Sequence, residues 1–393
     1  MLLLSIFVVY TLSALVLPFP NWTSFRIACL AVATTSDVSV RQRASMLSYL
    51  AREVLLLPVW AIFWLADEIF FASYHDQEIR EPIFIISQPR SGTTFLLRTM
   101  SEDQDTFLSV KHLEWRYPYI SFWKLIDVLG LRVWLENRSY WPNSELGRKC
   151  RKIHSHVLGN YEEFGIFLEE RFYHHYFVFR RFPFTQVMNR ISRFDNLPEA
   201  DKDRMITTFL RVIRKVYYYR GEGEIFLAKE NENVEFCRAV IDRLPDARLL
   251  MICREPQPML DSYLTMSVTC TEVKHGIDPT NRPAWRAMNT EFRRDQCREF
   301  VNFWHEYRSQ RNATLVSFHD FTSDVLRTTQ HIYRQFEIAL SPEFLTYLEN
   351  TQADQKKRDR GYLNLSCSEQ GFEFYSDFVR SATHTRHELE AVQ

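Results

Sequence analysis

Ile83-Phe84-Ile85-Ile86-Ser87-Gln88-Pro89-Arg90-Ser91-Gly92-Thr93-Thr94-Phe95-Leu96-Leu97 reads as strand, loop and helix in turn. Its first four residues are apolar and mostly β-branched, as a short buried strand requires. Ser87–Gly92 breaks that run with polar and turn-forming residues. From Thr93 onward the apolar residues return at helical spacing, through Phe95, Leu96, Leu97 and Met100. A loop that opens a helix presents free N–H groups and the positive end of the dipole, so it binds anions. Gly92 allows close approach of a ligand, Thr93 and Thr94 add hydroxyls, and Arg90 adds a forked cation. An ordinary strand–turn–helix corner without a ligand is the plain alternative. A nucleotide triphosphatase loop is disfavoured, because no first Gly and no Lys after Gly92 complete that pattern.

Working outward, strands and helices alternate. Asp201–Arg220 reads as a helix with Met205, Phe209, Val212, Ile213 and Val216 on one stripe. Glu224–Lys229 is a short strand, Val234–Leu244 a helix, Arg248–Cys253 a buried strand, and Pro258–Met266 opens a helix containing Ser262. Phe300–Trp304 and Thr314–Phe318 add one more helix and strand. This pattern predicts an α/β fold with a doubly wound parallel sheet flanked by helices. Such sheets bind ligands beyond the carboxyl ends of their strands. Arg90, Lys229 and Arg254 each fall there, which points to a multiply charged anion.

The chain of 393 residues is long enough for a substantial core in one large domain or at most two. A net charge of -1 gives no reason to expect a nucleic-acid surface. Aromatic content of 15% and only 10 glycines suit a compact, helix-rich enzyme. Seven widely spaced cysteines without a Cys-x-x-Cys pair speak against a dense disulfide scaffold and a zinc site, and leave room for one or two disulfides in an oxidising compartment. His154 and His156 alternate, so they would share a face on a strand but not on a helix. With Glu162 and Glu163 they are the nearest approach to a metal set, but no metal is expected. Tyr117–Trp134 is aromatic and apolar, and lines an acceptor pocket or packs as core.

Residues 1–25 carry no charge, and Met1–Leu17 is almost wholly apolar, about the lower limit for a membrane span. A signal peptide would begin with a basic segment, and none is present. Val54–Ala66 is a second apolar stretch with Trp60 and Trp64, readable as an interfacial helix, a span or a core helix. Between them Arg26, Arg41, Arg43 and Arg52 outnumber Asp37, so that loop should be cytoplasmic. If the second stretch spans, the rest is lumenal; if not, cytoplasmic. Asn-x-Ser/Thr triplets at Asn21, Asn137, Asn312 and Asn364 lean to the lumen of the endoplasmic reticulum or Golgi. The expected layout is therefore a membrane anchor over 1–25, a linker with an amphipathic or second membrane helix over 26–81, and a catalytic domain over 82–393.

Two motifs then become specific. Pro89-Arg90-Ser91-Gly92-Thr93-Thr94 resembles the 5′-phosphosulfate loop of sulfotransferases. Arg254-Glu255-Pro256 followed by Ser262 resembles the family's 3′-phosphate motif, and Leu244-Pro245-Asp246-Ala247 its approach. The likeness runs from about Pro82 to about Phe372. It includes Glu162-Glu163 in place of a longer acidic run, and the closest branch is the one common in bacteria and in membrane-associated eukaryotic proteins. Tyrosylprotein sulfotransferases are more distantly similar. Ser87 stands where a Gly is usual, Phe164-Gly165 where a second acidic pair is, and Glu255 where an Asp is. Glu230-Asn231 follows Lys229 where Ser-Pro or Thr-Pro is typical, which would set a carboxylate beside an active-site cation.

The resemblance implies transfer of a sulfuryl group from 3′-phosphoadenosine 5′-phosphosulfate (PAPS), without a metal, to a hydroxyl or amine of a small molecule, lipid or glycan. It implies donor contacts from Pro89, Arg90, Ser91, Gly92, Thr93, Thr94, Phe95, Arg254 and Ser262, and Lys229 near the leaving oxygen. The base is Glu114, placed like the catalytic Glu of the tyrosylprotein branch, or one of His112, His154 and His156, since cytosolic relatives use a His. The basic run Lys356-Lys357-Arg358-Arg360 would close over the 3′-phosphate. A membrane association and a homodimer are further expectations. The competing classes are a catalytically silent, membrane-tethered nucleotide binder and a small-molecule kinase.

Overall fold

The structure, a computed structural model, describes residues 2–173, 180–184, 187, 193–221, 225–231, 233–309, 312–355 and 363–391. The basic run at 356–360 lies outside them. Four helices precede the first strand: α1 (Leu2–Val16), α2 (Trp22–Thr34), α3 (Val40–Leu55) and α4 (Leu57–Phe70). Then come β1 (Ile83–Ser87), α5 (Thr93–Ser101), β2 (Phe107–Ser109), α6 (His112–Arg116), α7 (Ile120–Val128), α8 (Arg132–Glu136), α9 (Glu145–Ile153) and α10 (Gly165–Glu170). The second half holds α11 (Glu199–Arg220), β3 (Ile225–Asn231), α12 (Val234–Ile241), β4 (Arg248–Cys253), α13 (Pro256–His275), α14 (Pro283–Tyr307) and β5 (Ala313–Ser317). The chain ends with α15 (Phe318–Ser323), α16 (Val325–Gln335), α17 (Pro342–Gln355) and α18 (Glu373–Ala391).

The sheet is parallel throughout, in the order β2-β3-β1-β4-β5. The expected doubly wound architecture is therefore present, with β1 at its centre. Its strands alternate between two apolar layers. Phe84, Ile86, Phe226, Ala228 and Met251 enter one core, while Ile83, Ile85, Leu227, Leu250 and Ile252 enter the other. Register positions the site: Ser87 at the end of β1 pairs with Asn231 on β3 and Ile252 on β4. The loop after Ser87, the end of β3 and Arg254 thus emerge at one edge.

The N-terminal apolar stretch folds differently from a single span. α1 has 15 residues, about 22 Å of helix against a hydrocarbon core of roughly 30 Å. Among the described residues no helix is long and apolar enough to cross a membrane. After α1 the chain turns back, and Leu17 and Phe19 are buried in the main core. The second stretch, α4, turns Leu57, Ala61, Trp64 and Asp67 into the protein. Asp67 accepts from the N–H groups of Ile120 and Ser121 at the start of α7, and pairs with buried Lys215 at 2.9 Å. A buried carboxylate so committed fixes α4 as part of the domain. Asn21, the first glycosylation triplet, is buried and caps α2 by accepting from Ser24 N–H. None of the seven cysteines is in a disulfide.

Candidate active site

Two residues of the loop after β1 have positive φ, Arg90 at 68° and Gly92 at 89°. At Gly92 a Cβ would stand 2.6 Å from the Phe318 ring. Glycine is required there by conformation and by space. α5 begins at the next residue and aims its N-terminus into a cavity of about 620 Å³. Ser91 is buried, and its hydroxyl has no hydrogen-bond partner among the described residues. Ser91, expected among the donor contacts, does not line that cavity, so its side chain is not brought to the site with its neighbours.

The cavity gathers most of the expected residues. Pro89, Arg90, Gly92, Thr93, Thr94, Phe95, Arg254 and Ser262 line it, as do Lys229, His154 and His156. Arg90 Nε donates to Ser262 Oγ at 3.0 Å, and its NH2 to the Ile153 carbonyl at 3.1 Å. Arg254 donates to the Arg90 carbonyl and lies 4.2 Å above the Phe318 ring. The two motifs, far apart in sequence, are thus tied together directly. Lys229 Nζ donates to Thr94 Oγ1 at 2.8 Å and to Glu163 Oε2 at 2.9 Å. Asn231 also donates to Glu163, while its oxygen accepts from Thr93 at 2.9 Å.

Glu230 is not beside Lys229 as the sequence had suggested. Successive residues of β3 face opposite layers, so Lys229 and Asn231 share the α5 face, while Glu230 lies on the other side near Cys237. The carboxylate that does meet Lys229 is Glu163.

His154 and His156 sit neither on a strand nor on a helix. His154 is the extended residue that ends α9. Their rings are 4.1 Å apart, and His156 is 5.3 Å from His112. His154 Nε2 stands 3.3 Å from Glu162 Oε1, which also accepts from Arg98. Burial keeps both His154 and His156 below the ordinary imidazole pKa, against the pull of Glu162; for His156 the neighbouring His154 adds to the effect. Burial and the Arg116 charge hold His112 down to about 4. Burial alone would raise the Glu162 carboxyl, but His154, His156 and Arg98 draw it well below the usual range. One ligand atom each from His154, His156 and Glu162 falls within 4.8 Å of the others, a spacing that an ion would fit.

Glu114 is placed elsewhere. It is buried, accepts from the Lys111 N–H at 2.8 Å to cap α6, faces Arg220 at 3.6 Å, and does not line the cavity. Residues that line or support the cavity and were not singled out as catalytic include Arg98, Glu163, Asn231 and Phe318. Arg98 was legible as one helical turn beyond Thr94, and Glu163 as part of the acidic pair. Phe318 had no signal, because its role depends on β5 lying beside β4.

The sulfotransferase family matches residues 82–342. Sulfotransferase STF9 from Mycobacterium avium shares the fold at a TM-score of 0.60 and 14% identity, covering 92% of this chain and 96% of that one. Sulfotransferase STF1 from Mycobacterium tuberculosis H37Rv does so at 0.60 and 14%, covering 94% and 97%. No curated protein compared matches in sequence. With the family matched across the sheet, the loop and both cation motifs, the chain belongs to the sulfotransferase family.

Proposed function

We propose that this enzyme moves the sulfuryl group of PAPS to a hydroxyl or amine of a small-molecule, lipid or carbohydrate acceptor, with His154 as general base. The observation that carries the reading is the convergence of Arg90, Lys229 and Arg254 on one cavity beside the N-terminus of α5. PAPS supplies the sulfuryl group and departs as adenosine 3′,5′-bisphosphate. The loop N–H groups and Arg90 hold the anionic transferring group. Arg254 and Ser262 serve the 3′-phosphate. Lys229 balances negative charge on the leaving oxygen, and Glu163 holds its ammonium in place between transfers.

The acceptor oxygen forms its bond to sulfur as the sulfur–oxygen bond to the 5′-phosphate breaks. Its proton goes to His154. Glu162 Oε1, 3.3 Å from Nε2, would stabilise the charge the ring gains, with Nδ1 as the atom that takes the proton. Depressed basicity keeps the ring neutral at pH 7, as a base must be.

The test is titration with adenosine 3′,5′-bisphosphate and with ATP plus Mg²⁺, then incubation of labelled PAPS with a cell extract. Preference for the bisphosphate and a labelled product support the reading. Preference for ATP would replace it with a kinase, and bisphosphate binding without any labelled product would replace it with a silent binder.

A further inference from the structure

α1 and α4 pack as a pair, α7 lies against α4, and α8 follows α7. One side of this layer is core. The other side should be polar on a water-facing helix, and it is not. On α4 the buried stripe is Leu57, Ala61 and Trp64, yet Ile62 and Ile69 on the far side are 66% and 67% exposed. α1 has no charged residue at all, and Phe7, Leu12 and Leu15 are exposed. α7 and α8 extend the same property with Val128 and Val133, exposed at 85% and 70%. Exposed apolar side chains supplied by four helices packed in the series α1–α4–α7–α8 exceed the singly scattered hydrophobics of an ordinary surface.

The border has a different chemistry. Trp134 is exposed, and the Arg138 guanidinium lies 4.0 Å over its ring. Lys124 is exposed beside the Phe71 ring. The nearby acids are already engaged: Asp127 with Arg132 and Tyr219, and Glu136 with Lys111 and Arg132. Lys124 and Arg138 are thus cations at the edge of an uncharged face. Tryptophan and cations around an apolar centre match a headgroup layer around acyl chains. A transient protein partner would ask for a face about as polar as the rest of the surface, and a second copy of this chain would leave the cations at the border without an anionic counterpart.

We infer that the α1–α4–α7–α8 face docks into one leaflet of an anionic phospholipid bilayer without crossing it. α1 is too short to span, and the buried Leu17 and Phe19 bring the chain back to the domain. The docking is monotopic, and it is independent of the chemistry assigned to the donor cavity, which lies at the carboxyl edge of the sheet.

The experiment is flotation of the purified full chain with vesicles of phosphatidylcholine containing a minor share of phosphatidylserine. The unchanged protein should float. Phe7→Glu/Ile62→Glu/Val133→Glu should lower the bound fraction by about tenfold or more, because each carboxylate opposes insertion. Its binding of adenosine 3′,5′-bisphosphate should stay unchanged, which reports an intact fold. Brominated lipid should quench the fluorescence of the unchanged protein more than that of Trp134→Phe. The inference is overturned if the unchanged protein stays out of the lipid fraction, or if the triple variant floats equally well. It is also overturned if a tag at residue 1 is shielded inside sealed vesicles, which would mean spanning. A lipid-free dimer that the triple variant dissociates, with no vesicle binding, would assign the face to a second copy instead.

Discussion

Lys229 Nζ lies 2.9 Å from Glu163 Oε2, and both side chains are buried at the floor of the donor cavity. An ion pair in such a place holds a cation ready for a second anion. Glu163→Gln leaves the ammonium without its counter-charge. Breaking a buried pair costs about 3–5 kcal/mol at most here, since the amide still accepts a hydrogen bond. We expect a lower melting temperature for Glu163→Gln and a larger than normal recovery on adding adenosine 3′,5′-bisphosphate. Lys229→Met should do the opposite to turnover: kcat falls by roughly 10²-fold or more while bisphosphate binding weakens far less. Calorimetry and turnover assays on the two variants check both statements. Equal bisphosphate-induced shifts in Glu163→Gln and the unchanged protein would refute the first.

Arg254 contacts the Arg90 carbonyl and stacks on Phe318, so it is already oriented before a ligand arrives. Arg254→Ala should weaken adenosine 3′,5′-bisphosphate by about 2–4 kcal/mol. A nucleotide lacking the 3′-phosphate should lose much less. Titration calorimetry with both ligands reads the difference, and an equal loss would remove Arg254 from the 3′-phosphate.

His154 in the cavity and Glu114 outside it separate two base assignments. His154→Asn should lower kcat by about 10²-fold or more with unchanged bisphosphate binding. Glu114→Gln should keep turnover but reduce stability, since it weakens the cap of α6. The rate should fall only at a pH below the ordinary imidazole range, where the ring of His154, held down by burial, at last gains its proton. EDTA should leave the rate unchanged, because the Glu162 carboxylate is held by Arg98. A near-normal His154→Asn together with an inactive His156→Asn would move the role to His156, and loss of rate in EDTA would call for an ion between them.

His112 carries a stability signature. Its ring is buried, with neither nitrogen hydrogen-bonded among the described residues. Arg116 and His154 face it with positive charge, Glu162 and Glu170 with negative, and the balance with burial holds it down to about 4. The unfolded chain takes up this proton below about pH 6.5 and the folded one only near 4, so stability is full above that window and falls as pH drops through it. The share of this one ring is about 3 kcal/mol. His112→Leu should flatten the acid limb of a urea-unfolding series between pH 7 and pH 4. An unchanged limb would shift it to the other buried rings, His154, His156 and His275, which burial also holds below the ordinary imidazole value.

Local pattern alone determined the strand–loop–helix at residues 83–97, the parallel sheet, and the three cations at strand ends. Each of these follows from period and from turn chemistry, which are properties of neighbouring residues. The orientation of Lys229 against Glu230 was also implicit, since a strand alternates, but which face met α5 depended on the pairing of β3 with β1. Contacts made at long range were a matter for the tertiary structure alone. Glu163 reaches Lys229 across sixty-six positions. Glu114 and His154 looked equivalent as titratable groups, and only the path of the chain placed one in a helix cap and the other in the cavity. The apolar N-terminus was plain from composition. That α1 and α4 bury one side and leave the other bare was set by what packs against them, because hydrophobicity shows that a helix avoids water but not what it meets instead.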